Sequence, residues 1–88
     1  MITENAEVVN KLGIHARPAA QIVKAASIFD CMVTLTVDDD SVNAKSIMGV
    51  MTLAACRGSV IEVTADGEDE KEAVEAVIKL IRDGFGEE

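Results

Sequence analysis

The sequence predicts an α+β open sandwich in the order β-α-β-β-α-β-α, built on a largely antiparallel sheet. Three observations predict it. Strand-like segments carry apolar residues on one side only: Val33, Leu35 and Val37 alternate with Thr34 and Thr36, and Ile61, Val63 and Ala65 share one face. One-sided alternation leaves one face of a sheet wet and the other covered. Between these segments, apolar residues recur at three- and four-residue spacing, the period of an amphipathic helix. A chain of 88 residues holds one domain, residues 1–88, with no internal repeat or low-complexity linker.

The elements follow in order. Glu4 to Val9 reads as a strand, and Asn10 to Ile14 as a loop with Gly13 at its bend. Ala16 to Ser27 reads as a helix whose apolar stripe is Ala16, Ala19, Ala20, Val23 and Ala26. Met32 to Val37 is a strand, and Asp38-Asp39-Asp40 a turn, since Asp hydrogen-bonds its own backbone there. Ser41 to Ala44 completes a hairpin. Ser46 is placed to cap a short helix, Ile47 to Leu53. Ser59 to Ala65 is the next strand. Asp69 and Glu72 have the spacing of a capping box for a last helix, Glu70 to Asp83, with Ala73, Val74, Val77, Ile78 and Ile81 as its core stripe. Gly84 stops it, and Lys79 and Arg82 complement the dipole of its last turn.

Composition excludes several functions. A domain of this size buries only about 60–65% of its unfolded surface, which leaves little room for a deep substrate cavity. Aromatic content is 2% and net charge −8, which oppose stacking on single strands and binding to a phosphate backbone, so no nucleic acid partner is expected. No apolar run approaches the roughly 20 residues of a membrane span, and no secretory signal opens the chain, so a cytoplasmic protein without membrane insertion is expected. Cys31 and Cys56 lack metal-type spacing and read as reduced, small hydrophobic residues; no metal and no cofactor are expected. Acids are absent between Glu7 and Asp30 and between Asp40 and Glu62, whereas Lys11, His15, Arg17, Lys24, Lys45 and Arg57 lie there. If these stretches meet in space, a positive face suited to an anion or an acidic partner sits on an acidic body.

The chemistry concentrates at Leu12-Gly13-Ile14-His15-Ala16-Arg17-Pro18-Ala19-Ala20. Pro18 fits only the opening turn of a helix, which puts His15 at the cap. Histidine is not a favoured cap, and Arg17 opposes the positive end of the helix dipole with no acid near it in sequence. Breaches of local rules often mark functional sites. An anion would resolve both: the backbone N–H groups of Ala16 and Arg17 form an anion site, and Arg17 adds a charge-assisted fork. The positive helix end disfavours imidazolium, leaving His15 neutral and nucleophilic. A histidine at a helix start is commonly only a surface residue, however, and Arg17 could pair with a distant acid. The residues alone leave both readings open. A hydrolase built on His15 lacks a nucleophile–base–orienter set, since the chain has one histidine.

That segment resembles the active-site motif of the HPr family of the phosphoenolpyruvate-dependent phosphotransferase system. The resemblance continues through Asn43-Ala44-Lys45-Ser46-Ile47-Met48-Gly49-Val50-Met51-Thr52-Leu53-Ala54, Gly58-Ser59 and Ala65-Asp66-Gly67-Glu68-Asp69-Glu70, covering essentially the whole chain. It implies an open-faced sandwich with three helices on one face of a four-stranded sheet. It implies a phosphocarrier, not an enzyme: phosphorylated enzyme I would phosphorylate His15 on Nδ1, Arg17 would assist, and a histidine of an enzyme IIA domain would receive the group. Ser46 would be the regulatory serine, with an HPr kinase/phosphorylase and a transcriptional regulator as further partners and a monomer as the working form. Ala16 stands where the family often has a hydroxyl residue, so one phosphate contact is absent. Asn10-Lys11 and the tail Asp83-Gly84-Phe85-Gly86-Glu87-Glu88 resemble the nitrogen-related paralogue, whereas the Ser46 segment resembles the sugar-system protein; both branches stay open.

The second helix carries more apolar residues than one buried stripe can hold. Val50 and Leu53 are expected in the core, and Ile47, Met48 and Met51 on an adaptable docking surface. For Ser46, plain capping is the competing reading.

Overall fold

A computed structural model describes residues 1–87. Glu88, the last residue of the tail singled out above, lies outside them. Four strands, β1 (Ile2–Glu7), β2 (Met32–Val37), β3 (Asp40–Asn43) and β4 (Val60–Asp66), form one sheet in the order β1-β4-β2-β3. Every described pairing is antiparallel. The helices are α1 (Ala16–Ser27), α2 (Ile47–Thr52) and α3 (Glu70–Arg82), followed by a 3-10 turn at Gly84–Gly86. The element order and layers are those the alternation predicts.

The strands bury Ala6, Val33, Leu35, Ile61, Val63 and Ala65 on one face, while Thr34, Thr36, Glu62 and Thr64 stand on the other. α3 lies across β1, β4 and β2, and α1 packs on both α3 and α2. The core stripe of α3 is the predicted one, Ala73, Val74, Val77, Ile78 and Ile81.

Four local expectations are corrected. β1 runs Ile2–Glu7, ahead of the expected Glu4–Val9, because Val8 leaves the β4 ladder to exchange hydrogen bonds with the loop before it: Val8 N donates to Ser59 O, and Gly58 N donates to Val8 O. The buried stripe of α1 is Pro18, Ala19, Ile22 and Ala26, with Ala16 and Ala20 exposed. A larger side chain secures more burial, so the helix turns Ile22 inward rather than two alanines. The capping box does not form. Asp69 instead reaches across to accept from Asp30 N (2.9 Å) and Cys31 N (3.0 Å), and Glu70 accepts from Gly67 N (3.1 Å). Those two bonds, Asp30 N foremost, hold the Asp69 carboxyl below the usual carboxylate range. Lastly, Cys31 is buried, but Cys56 is exposed in the loop after α2.

Candidate functional site

His15 is the N-cap of α1, with extended backbone angles (φ −99°, ψ −167°) and no capping bond from its side chain. The first intrahelical bond is Ala19 N to His15 O, 3.0 Å. Upstream of it, His15 N donates to Gly13 O, and Pro18 has no N–H to give. The N–H groups of Ala16 and Arg17 therefore have no acceptor within the helix. They are the pair that the sequence nominated for an anion.

The loop that holds His15 is pinned from two sides. Ile14 N donates to Ala55 O (2.9 Å) in the loop after α2. Gly13 sits at φ +67°, and a Cβ there would come within 2.6 Å of Ala55 O and 2.8 Å of Cys56 Cα, so only glycine permits this approach. The two acid-free stretches thus meet, at Gly13–Ile14 and Ala55–Cys56.

On the other side stands a residue the sequence reading missed. Glu87 Oε2 lies 2.9 Å from His15 Nε2, and its Oε1 accepts from Asn10 Nδ2 at 2.9 Å. Asn10 is buried, and the same Nδ2 also donates to Gly13 O (2.8 Å). Two acceptors on one side fix which way the amide faces, at the cost of leaving Asn10 Oδ1 buried without a partner among the described residues. The Asn10 bond first, then the His15 bond and the nearby charge of Arg17, hold the Glu87 carboxyl below the usual carboxylate range against partial desolvation.

A hook in the chain delivers Glu87. Gly84, Phe85 and Gly86 all adopt left-handed angles, φ +64°, +59° and +75°. For Phe85 that conformation costs about 1–2 kcal/mol. Its ring is buried in the core, which repays the cost and anchors the tail. The tail was noted in the sequence only as a resemblance. The signal in it was Gly-Phe-Gly: a core aromatic between two residues that tolerate left-handed angles, followed by an acid.

Arg17 is exposed and, among the described residues, forms no hydrogen bond or ion pair. The face around His15 is therefore not free of acid as the sequence spacing predicted, yet the guanidinium remains available. His15 keeps 36% of its side-chain surface, and among the described residues its Nδ1 makes no hydrogen bond. Ser46 caps α2 by accepting from Gly49 N at 3.1 Å. As expected, Met48 is 76% exposed, Ile47 43% and Met51 46%, while Val50 and Leu53 are buried. Among the described residues no cluster of His, Cys, Asp or Glu is arranged to hold a metal. No helix among them is long and apolar enough to cross a membrane.

Comparison with known proteins decides the family. The family described as "PTS HPr component phosphorylation site" matches residues 2–83. The chain belongs to the HPr family. The phosphocarrier protein HPr of Treponema pallidum is 49% identical over 88 residues, covering 100% of both chains. The crystal structure of an HPr from Thermoanaerobacter tengcongensis superposes with a TM-score of 0.95 at 46% identity, covering 100% of this chain and 99% of that one. The Bacillus subtilis catabolite-repression protein Crh, crystallised as a dimer with a swapped domain, superposes with a TM-score of 0.77 at 43% identity, covering 94% and 95%. HPr proteins are phosphocarriers of the phosphotransferase system, and the open-faced sandwich is the fold this chain shares with them.

Proposed function

We propose that this chain carries a phosphoryl group on Nδ1 of His15, taken from phosphorylated enzyme I and passed to a histidine of an enzyme IIA domain. The observation that carries the reading is the state of His15. Among the described residues, it caps a helix whose first N–H groups, those of Ala16 and Arg17, have no acceptor within the helix, its Nδ1 makes no hydrogen bond, and Arg17 stands in the first turn without a partner. Phosphoryl transfer asks mainly for positioning and charge stabilisation, and this arrangement supplies both. The Nδ1 lone pair attacks phosphorus as the bond to the donor breaks; the open N–H groups and Arg17 then share the phosphoryl charge.

Ile47, Met48 and Met51 form the surface on which both partners dock. Phosphorylation of Ser46 by an HPr kinase/phosphorylase would put about −1.5 to −2 charges at the edge of that surface. Enzyme I would then bind less well, and a transcriptional regulator with an arginine cluster better. A monomer suffices for this carrier, since His15, Arg17 and Glu87 meet within one chain. A second reading, the nitrogen-related regulatory branch, is favoured by the Asn10 and Glu87 contacts, because both belong to the segments that resemble that paralogue.

The test is incubation with enzyme I and phosphoenolpyruvate, followed by mass spectrometry. One acid-labile, base-stable phosphoryl group is expected on His15 and none on His15→Ala. Equal labelling of the two proteins would end the proposal.

A further inference from the structure

We propose that Glu87 is a positioning residue that keeps a proton on His15 Nε2 through both halves of the phosphoryl cycle, so that neither half requires a proton to move. The proposal rests on the reading of His15 as the phosphoryl acceptor. Glu87 meets the ring at 2.9 Å, with 17% of its own side chain exposed, and Asn10 holds its other oxygen at 2.9 Å from a buried position. A carboxylate has no hydrogen to give, so the hydrogen of this bond belongs to Nε2. Neutral imidazole carries one N–H, and with it on Nε2 the lone pair is on Nδ1.

In the accepting half, the Nδ1 lone pair forms the N–P bond while the donor's bond to phosphorus breaks and its electron pair stays with the donor. Nε2 keeps its hydrogen, so the phosphorylated ring becomes a cation, and Glu87 lies against that new charge. In the donating half, the acceptor's lone pair attacks phosphorus, and the electrons of the N–P bond return to Nδ1. The leaving group is then neutral imidazole. Were Nε2 to lose its hydrogen first, the leaving group would be imidazolate, a far poorer one.

The charged groups at the ring are Glu87, from the tail, and Arg17, from the first turn of α1; Asn10, from the β1–α1 loop, is neutral. Among the described residues no other acid lies within ion-pair distance of His15. Arg17 works against a proton on the ring. The carboxylate is in direct contact with Nε2 at 2.9 Å, and it is the group that accepts the ring's hydrogen bond.

The readout is the pH at which the phosphorylated ring loses its Nε2 proton. Phosphoramidate phosphorylates histidine without an enzyme, so wild type, Glu87→Gln and Glu87→Ala are each phosphorylated chemically and titrated by 31P and long-range 1H–15N NMR. An opposite charge within a few ångströms moves a pKa by roughly 1–3 units, less where water reaches the pair. The midpoint is expected to fall by about half a unit to one unit in both variants. Donation to an enzyme IIA domain is expected to be within about 2-fold of wild type at pH 6 and about 3–10-fold slower above the wild-type midpoint, the same shift read as a rate. Unchanged thermal midpoints exclude a folding defect. Superimposable titrations, or a wild-type phosphoryl group on Nε2, would overturn the proposal. Failure of enzyme I to label the wild type would instead overturn the proposed function, and the chemical titration would still read the role of Glu87.

Discussion

Gly13→Ala perturbs the contact that joins the His15 loop to the rest of the fold. Two costs add. Alanine at φ +67° is in the left-handed region, which costs about 1–2 kcal/mol. Its Cβ would also lie 2.6 Å from Ala55 O and 2.8 Å from Cys56 Cα. Both are backbone atoms, so no side chain can swing aside; the loops must separate, at an overpacking cost of about 1–3 kcal/mol. The total is about 2–5 kcal/mol, out of the roughly 5–15 kcal/mol typical of a whole domain. For a domain of this size each kcal/mol lowers the thermal midpoint by about 4–8 °C, so a fall of at least about 8 °C is expected, nearer 20 °C at mid-range. Gly58→Ala is the control. Gly58 has φ +94° but, among the described residues, nothing within 4 Å of the added Cβ, so it incurs strain without collision. The assay is thermal unfolding of both variants, with phosphoryl transfer from enzyme I measured below both midpoints. Parting the loops moves the Ile14 N–Ala55 O bond and His15 with it, and a displacement of about 1 Å at a reacting group can cost 10²-fold. If Gly13→Ala melts no lower than Gly58→Ala and transfers at the wild-type rate, the close approach is not what places His15.

Arg17→Ala is expected to keep the wild-type thermal midpoint, since Arg17 has no partner among the described residues, and to slow transfer through loss of a charge-assisted contact worth about 1.5–3 kcal/mol; equal kinetics with both partners would make Arg17 an ordinary surface residue. Met48→Ala should weaken docking, read by titration calorimetry with enzyme I, while moving stability by less than about 0.5 kcal/mol; lost stability with intact affinity would count against the patch. Ser46→Asp keeps a side-chain oxygen for Gly49 N and should hold the thermal midpoint while His15 phosphorylation by enzyme I slows; an unchanged rate would leave Ser46 as a cap alone. Asp69→Asn tests the bonds to Asp30 N and Cys31 N: because the folded-state pKa is depressed, the stability these bonds supply is present above the ordinary aspartate pKa and is lost as pH falls through the folded value. The variant should therefore lose stability near neutrality and show a flatter decline in acid, and a parallel acid profile would refute that linkage.

Local residue chemistry determined the fold class, because burial on one face imprints a period of two on strands and of three to four on helices, and both periods are written in consecutive residues. The same locality made His15 legible as a cap: Pro18 restricts where a helix can begin, within three residues of the site. Ser46 and the exposure of Met48 were legible for a related reason, since a short helix has too little surface against the core to bury Ile47, Met48, Val50, Met51 and Leu53 together. What the tertiary structure decided depends on residues far apart in the chain. Asp69 and Glu72 have capping-box spacing, yet the unpaired N–H groups of Asp30 and Cys31, some forty positions away, draw the carboxylate across. The apolar stripe of α1 is ambiguous when alanine recurs on several faces, and only packing on the core turns Ile22 inward. Glu87 is 72 residues from His15, and no spacing rule links them. Only the buried Phe85 ring and three successive left-handed residues bend the tail back far enough to set a carboxylate against the imidazole. Sequence periodicity records which way a residue faces, whereas a hydrogen bond between the two ends of the chain exists only once the core between them has packed.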